Sequence, residues 1–182
     1  IHISTPLRKT NTMEIIVEEI IEASEKQLAE KQIRIYKECE KDLPETYMHH
    51  EQVRFVLSSL LQYAILSTPP NGSIGLSIKY FPAPSPTAER AVPDESNGGY
   101  IGVTFRSSGD TKVKKSSESG KGYTNGQEDE ALSLILKLVK EIMEKNYEEI
   151  NVRMDDGKGD QLISLRFHIE RRKKVHYEPI KI

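Results

Sequence analysis

The sequence has no tryptophan, one cysteine and only 7% aromatic residues. With Cys39 alone, neither a disulfide within the chain nor a cysteine-rich zinc site can form, and a reducing, cytoplasmic setting is expected. No apolar run approaches the roughly 20 residues that cross a bilayer. The start of the chain also lacks the charged-then-apolar pattern of a signal peptide, so no membrane insertion is expected of this stretch. A dominant charge is missing too. The 26 basic residues face 28 acidic ones, a net charge of −2, so charge does not direct the chain toward nucleic acid. The first residue is Ile1 rather than methionine, and upstream modules are expected.

What is present suffices for one core. At 182 residues with 36% hydrophobic content, a single domain over about 1–170 is expected, with 171–182 as a tail. Asn11 followed by Glu14 marks a helix start, and Ile16, Val17, Ile20, Ile21, Ser24 and Leu28 recur at helical spacing, which predicts a helix over 12–31. Ile33 and Ile35 alternate with Arg34 and Tyr36 as in a half-buried strand, and a short extended piece is expected around Tyr47. A second helix is expected from His50 to Leu66, with Val53, Val56, Leu57, Leu60, Leu61 and Ala64 inward. Thr68-Pro69-Pro70-Asn71-Gly72 stops it, because proline cannot continue a helix and Asn-Gly favours a tight turn.

Ile74, Leu76, Ile78 and Tyr80 then alternate as a strand, and Ile101, Val103 and Phe105 form its returning partner over 100–106. The Pro-, Ser- and Gly-rich stretch 82–99 is expected to be an insertion loop inside that pair, and 107–128 a second polar loop. A third helix over 128–146 carries Leu132, Ile135, Leu136, Leu138, Val139, Ile142 and Met143 on a broad apolar face. Strands over 150–153 and 162–169 flank the Asp155-Asp156-Gly157-Lys158-Gly159-Asp160 turn. Each helix has one apolar face to bury. The economical packing is therefore an α+β two-layer sandwich, with three main helices on one face of a mixed, largely antiparallel sheet.

This order resembles the C-terminal ATP-binding domain of sensor histidine kinases, a fold shared with gyrase B, Hsp90-type chaperones and MutL. Three stretches carry the resemblance. Val53 to Pro69 is similar to the asparagine-box helix and its Tyr-Thr-Pro exit; Ser133 to Lys140 is similar to the Gly-Leu-Gly-Leu-Ser-Ile-Val-Lys helix start; and Gly157-Lys158-Gly159 falls at the last hairpin's Gly-x-Gly turn. The resemblance implies an ATP and magnesium site, cytoplasmic two-component signalling, dimerisation and sensor domains in a longer protein, and a response regulator or partner kinase as partner.

At the positions equivalent to the family's ATP site the residues depart from the pattern. Ser59 and Tyr63 stand where the family has two asparagines, the second holding magnesium through an oxygen that a hard cation requires. A phenol is a poor substitute for that amide. Leu66 stands at a common phosphate-binding lysine, while Thr68 keeps the exit motif. The adenine-reading Asp-x-Gly-x-Gly turn maps to Ser107, Gly109 and Thr111, so one of its three key positions survives. Ser133 and Ile135 replace glycines whose missing side chains let backbone amides approach phosphate. A degenerate module with weak or no ATP binding is one expectation. A divergent active kinase using Gly109, Thr68, Lys112, Lys114 or Lys121, and a protein-binding adaptor, are the alternatives.

Other features read as structural. His2 sits one residue too close to Thr5-Pro6-Leu7 for the phospho-accepting motif and reads as tail or linker. His49, His50 and Glu51 are adjacent, so their side chains diverge by about 100° on a helix; a cap and solvent-facing positions are expected rather than a metal site. Gly120-Lys121-Gly122 lacks the spacing of a phosphate-cradling loop. Arg171 to Lys174 reads as a solvated strand end.

Overall fold

The computed structural model describes residues 11–83, 98–109, 126–154 and 160–170, with side chains from residue 130 onward in the third helix. Residues 84–97 of the expected loop 82–99, most of the loop 107–128, His2, the turn glycines Gly157 and Gly159 and the basic run 171–174 lie outside the described residues. The order is α1 (Thr12–Lys31), β1 (Arg34–Cys39), α2 (His50–Ser67), β2 (Ser73–Phe81), β3 (Tyr100–Ser108), α3 (Gly126–Lys145), β4 (Glu149–Met154) and β5 (Gln161–His168).

Local chemistry sets the helix ends. The Asn11 side chain accepts from the Met13 N–H at 2.7 Å and donates to the Leu43 carbonyl, so one residue caps α1 and ties it to the loop after β1. Gln32, at φ 54°, ends α1 in the left-handed region, its N–H reaching the Ala29 and Leu28 carbonyls. His49 caps α2, its Nδ1 accepting from the Glu51 N–H at 3.2 Å. The expected cap is found there. α3 ends through Tyr147 at φ 56°, a position glycine usually takes, and the residue is 90% exposed.

The five strands form one sheet in the order β1-β2-β3-β5-β4. β1 and β2 are parallel, joined by the crossover through α2 that parallel neighbours need, and the other pairs are antiparallel. The register lines up Ile74 with Ser107, Leu76 with Phe105 and Ile78 with Val103, then Ser107 with Gln161, Phe105 with Ile163 and Ile101 with Phe167. These residues form the inner face, and all are buried. α2 packs between α1 and α3, and its Val56, Leu57, Leu60 and Leu61 are fully buried. Each such side chain contributes about 1.5–3 kcal/mol of transfer free energy, so α2 is the centre of the core.

Three details differ from expectation. The piece around Tyr47 makes one bridge, Thr46 to Ile169, with the Tyr47 N–H donating to the His168 carbonyl at 2.8 Å, and does not extend into a strand. β3 runs on through Ser107 and Ser108, because Ser107 faces inward between Ile74 and Gln161 and its backbone completes two ladders. Leu138 is 42% exposed, because the buried face of α3 narrows to Val139 and Met143 with Leu132, Ile135, Leu136 and Ile142 packed at its margin.

Candidate functional site

The positions singled out from sequence fall into two groups. Tyr63, Thr68, Ser107 and Gly109 converge where the C-terminal half of α2 meets the end of β3. Tyr63 is 7% exposed, and its hydroxyl accepts a hydrogen bond from Gln161 Nε2 at 2.7 Å. Gln161 is the β5 neighbour of Ser107, and its Oε1 lies 3.5 Å from Ser67 Oγ. The phenol therefore spans from helix to sheet and is pinned by an amide. Sequence inspection missed Gln161, although it breaks the apolar series of Ile163, Leu165 and Phe167 on one strand face.

The exit of α2 is packed as closely. Thr68 is 1% exposed, its Oγ1 donating to the Ala64 carbonyl at 2.6 Å. A Cβ on Gly72 would meet Thr68 Cγ2 at 2.5 Å and the Ser108 carbonyl at 2.8 Å, and one on Gly109 would meet Pro69 Cγ at 2.4 Å. Both glycines are needed for close approach, so the turn after α2 seats directly on the end of β3. Ser73 Oγ and Ser108 Oγ, 2.8 Å apart, close the same corner.

Lys31 completes it from α1. Its Nζ donates to the carbonyls of Ile65 at 2.8 Å, Leu66 at 3.3 Å and Thr68 at 2.9 Å, placing a cation on the negative end of the α2 dipole. Leu66, which the resemblance sets at a phosphate-binding lysine, offers its carbonyl to an ammonium from another helix.

Ser59, Ser133 and Ile135 are arranged differently. Ser59 is half-buried on α2, Ser133 is exposed on α3 and Ile135 packs at the margin of the core. Ser133 lines an open hollow of about 380 Å³ with Glu130, Leu134 and Lys137, to which α2 contributes nothing. A larger hollow of about 960 Å³ runs along β4 and is lined by residues such as Lys140, Arg153 and Arg166, away from all the sequence-selected positions. Lys112, Lys114 and Lys121, considered for phosphate contact, and Thr111 lie outside the described residues.

Among the described residues two titratable groups are perturbed elsewhere. Burial pushes the Glu148 carboxyl up from its ordinary value, opposed by hydrogen bonds from the His168 N–H at 2.9 Å and by Nδ1 of its ring at 3.0 Å. Burial, reinforced by the Glu14 carboxylate, raises the Cys39 thiol, which makes it a poor nucleophile. Among the described residues no three His, Cys, Asp or Glu side chains come together to hold a metal, and no helix is long and apolar enough to cross a membrane.

Solved structures share this fold. The catalytic domain of histidine kinase ThkA superposes over 86% of this chain and 93% of its own, with a TM-score of 0.57 at 18% identity. The fold is that of a histidine kinase catalytic domain. The mycobacterial sensor histidine kinase MprB aligns over 88% of this chain and 96% of its own, at 12% identity and a TM-score of 0.55. Acinetobacter baumannii AdeS aligns over 87% and 66%, at 13% identity and a TM-score of 0.54. No family model matches the sequence, and no curated protein matches it. The histidine kinase fold therefore persists here at identities where sequence comparison finds nothing.

Proposed function

We propose that this chain is the ATPase-type domain of a sensor histidine kinase that acts in cytoplasmic two-component signalling as a non-catalytic module, with weak or no binding of ATP and magnesium. The observation that carries this reading is Tyr63. It stands at the position that the resemblance assigns to the magnesium ligand, it is buried, and its hydroxyl is held at 2.7 Å by Gln161. Magnesium requires a near-octahedral set of oxygen ligands and gives up water reluctantly. A buried neutral phenol already bonded to a glutamine does not fit that role, and Ser59 one turn earlier is too short to replace it.

Relatives supply the proposed setting. ThkA has been solved with the response regulator TrrA and ShkA with AMPPNP, in chains of which this one spans 40% and 31%. By analogy the domain acts through contacts with its own dimerisation and sensor modules, and with a response regulator or partner kinase. Incubating the full-length protein with γ-phosphate-labelled ATP tests the reading. No acid-labile phosphohistidine is expected from protein whose melting is cooperative; a labelled histidine would establish the active-kinase alternative.

A further inference from the structure

The sheet face turned away from the helices has its own chemistry. By register it presents Arg34, Tyr36 and Glu38 from β1; Ser73, Gly75, Ser77, Lys79 and Phe81 from β2; Tyr100, Gly102, Thr104, Arg106 and Ser108 from β3; and their counterparts on β5 and β4. Five basic residues on this face, Arg34, Lys79, Arg106, Arg153 and Arg166, oppose two acidic ones, Glu38 and Glu149, a balance of +3 on a chain of net charge −2.

The charges are sorted by position. Lys79 pairs with Glu38 at 3.9 Å and Arg166 with Glu149 at 3.7 Å, so one end of the face is close to neutral. There Phe81 stacks on Tyr100 at 4.9 Å, and Arg166 lies over the Tyr100 ring at 4.7 Å. At the other end Arg34, Arg106 and Arg153 are exposed and have no ion-pair partner among the described residues. Neighbouring strands lie about 4.8 Å apart, so Arg106 and Arg153, two strands apart, are about 10 Å from one another. Tyr36 and Gly75 share their cross-strand row, and Tyr36 is 60% exposed.

Gly75 adds an independent sign. A glycine inside a strand weakens it, and often marks a place where another backbone comes close. A Cβ on Gly75 would meet nothing nearer than 3.9 Å, so the chain's own packing does not require glycine there, in contrast to Gly72 and Gly109.

We propose that this end of the outer sheet face docks an acidic segment of a partner protein, whose carboxylates pair with Arg34, Arg106 and Arg153 while its backbone passes over Gly75. Guanidinium groups suit this because they bind carboxylates in a bidentate fork and stay charged in a partly dry interface. A polyphosphate backbone fits less well: Glu38 and Glu149 flank the face on both edge strands, and a balance of +3 is small beside what nucleic-acid binding draws on.

Anisotropy of a fluorescein-labelled, Glu-rich helical peptide tests the docking, titrated with the protein in low and physiological salt. Saturable binding that weakens with salt is expected. The R34E/R106E/R153E protein should lose affinity about tenfold or more, and a K26E/K41E/K145E control with the same charge change should retain it. The single variant Gly75→Val should weaken binding without lowering the melting temperature. Circular dichroism establishes that each variant is folded, and R106Q replaces the triple variant if that protein is not. No peptide binding, equal loss in both charge variants, tighter binding of single-stranded RNA, or self-association in place of peptide binding would each overturn the proposal.

Discussion

Replacing Tyr63 with phenylalanine removes one oxygen and leaves the ring, so it isolates the bond that pins the phenol. Gln161 Nε2 then loses its acceptor at a residue only 8% exposed. An abandoned buried donor costs about 1–3 kcal/mol, and the Ser67 hydroxyl does not replace the lost acceptor because it lies 3.5 Å from Oε1, the other end of the amide. For a domain of 150–250 residues about 1 kcal/mol moves the melting temperature by about 2–4 °C, so Tyr63→Phe should lower it by roughly 2–12 °C. Replacing Gln161 with leucine as well removes both polar groups, and the double variant should be less destabilised than the sum of the single changes. A coupling of about 1 kcal/mol in that cycle, read from urea unfolding, is the expected result. A Tyr63→Phe protein as stable as the parent, with no coupling to Gln161, would refute the reasoning that this bond holds the phenol between helix and sheet.

Other perturbations have equally definite outcomes. Lys31→Met leaves carbonyls at the end of α2 without their ammonium partner and should cost about 1–3 kcal/mol in denaturant unfolding, with faster amide exchange in the last turn of α2. Gly109→Ala brings a methyl within 2.4 Å of Pro69 Cγ; overpacking of this kind costs about 1–3 kcal/mol, measurable as a lowered melting temperature. Because the Glu148 carboxyl is raised in the folded state, its contribution is fully present below the ordinary glutamate value and is lost as pH rises through the folded value. Relative to a Glu148→Gln protein, the parent should therefore lose stability across that interval in melting curves taken as a function of pH.

The sequence carried the fold because burial is periodic. Val53, Val56, Leu57, Leu60 and Leu61 repeat at helical spacing, and Ile74, Leu76 and Ile78 at strand spacing, so their faces were legible without coordinates. Edges were less so. The strand ending at Ser108 looked like a loop because its last residues are polar, and only the neighbours Ile74 and Gln161 explain why it continues. Leu138 looked like core because composition cannot show where a helix face stops being covered. At the candidate site the departures at Ser59, Tyr63, Ser107 and Ser133 were visible, but their consequence was not. The bond from Gln161 to Tyr63 joins residues 98 apart, and the clamp from Lys31 to Thr68 joins residues 37 apart. Pairings at such separations are set by topology and leave no local pattern.

The proposed function requires that the frame of an ATP site is kept here without its ligand chemistry. Calorimetric titration of this domain with ATP in the presence of magnesium tests it most directly. No saturable heat is expected up to millimolar nucleotide, with or without the metal. Tight binding that depends on magnesium would contradict it.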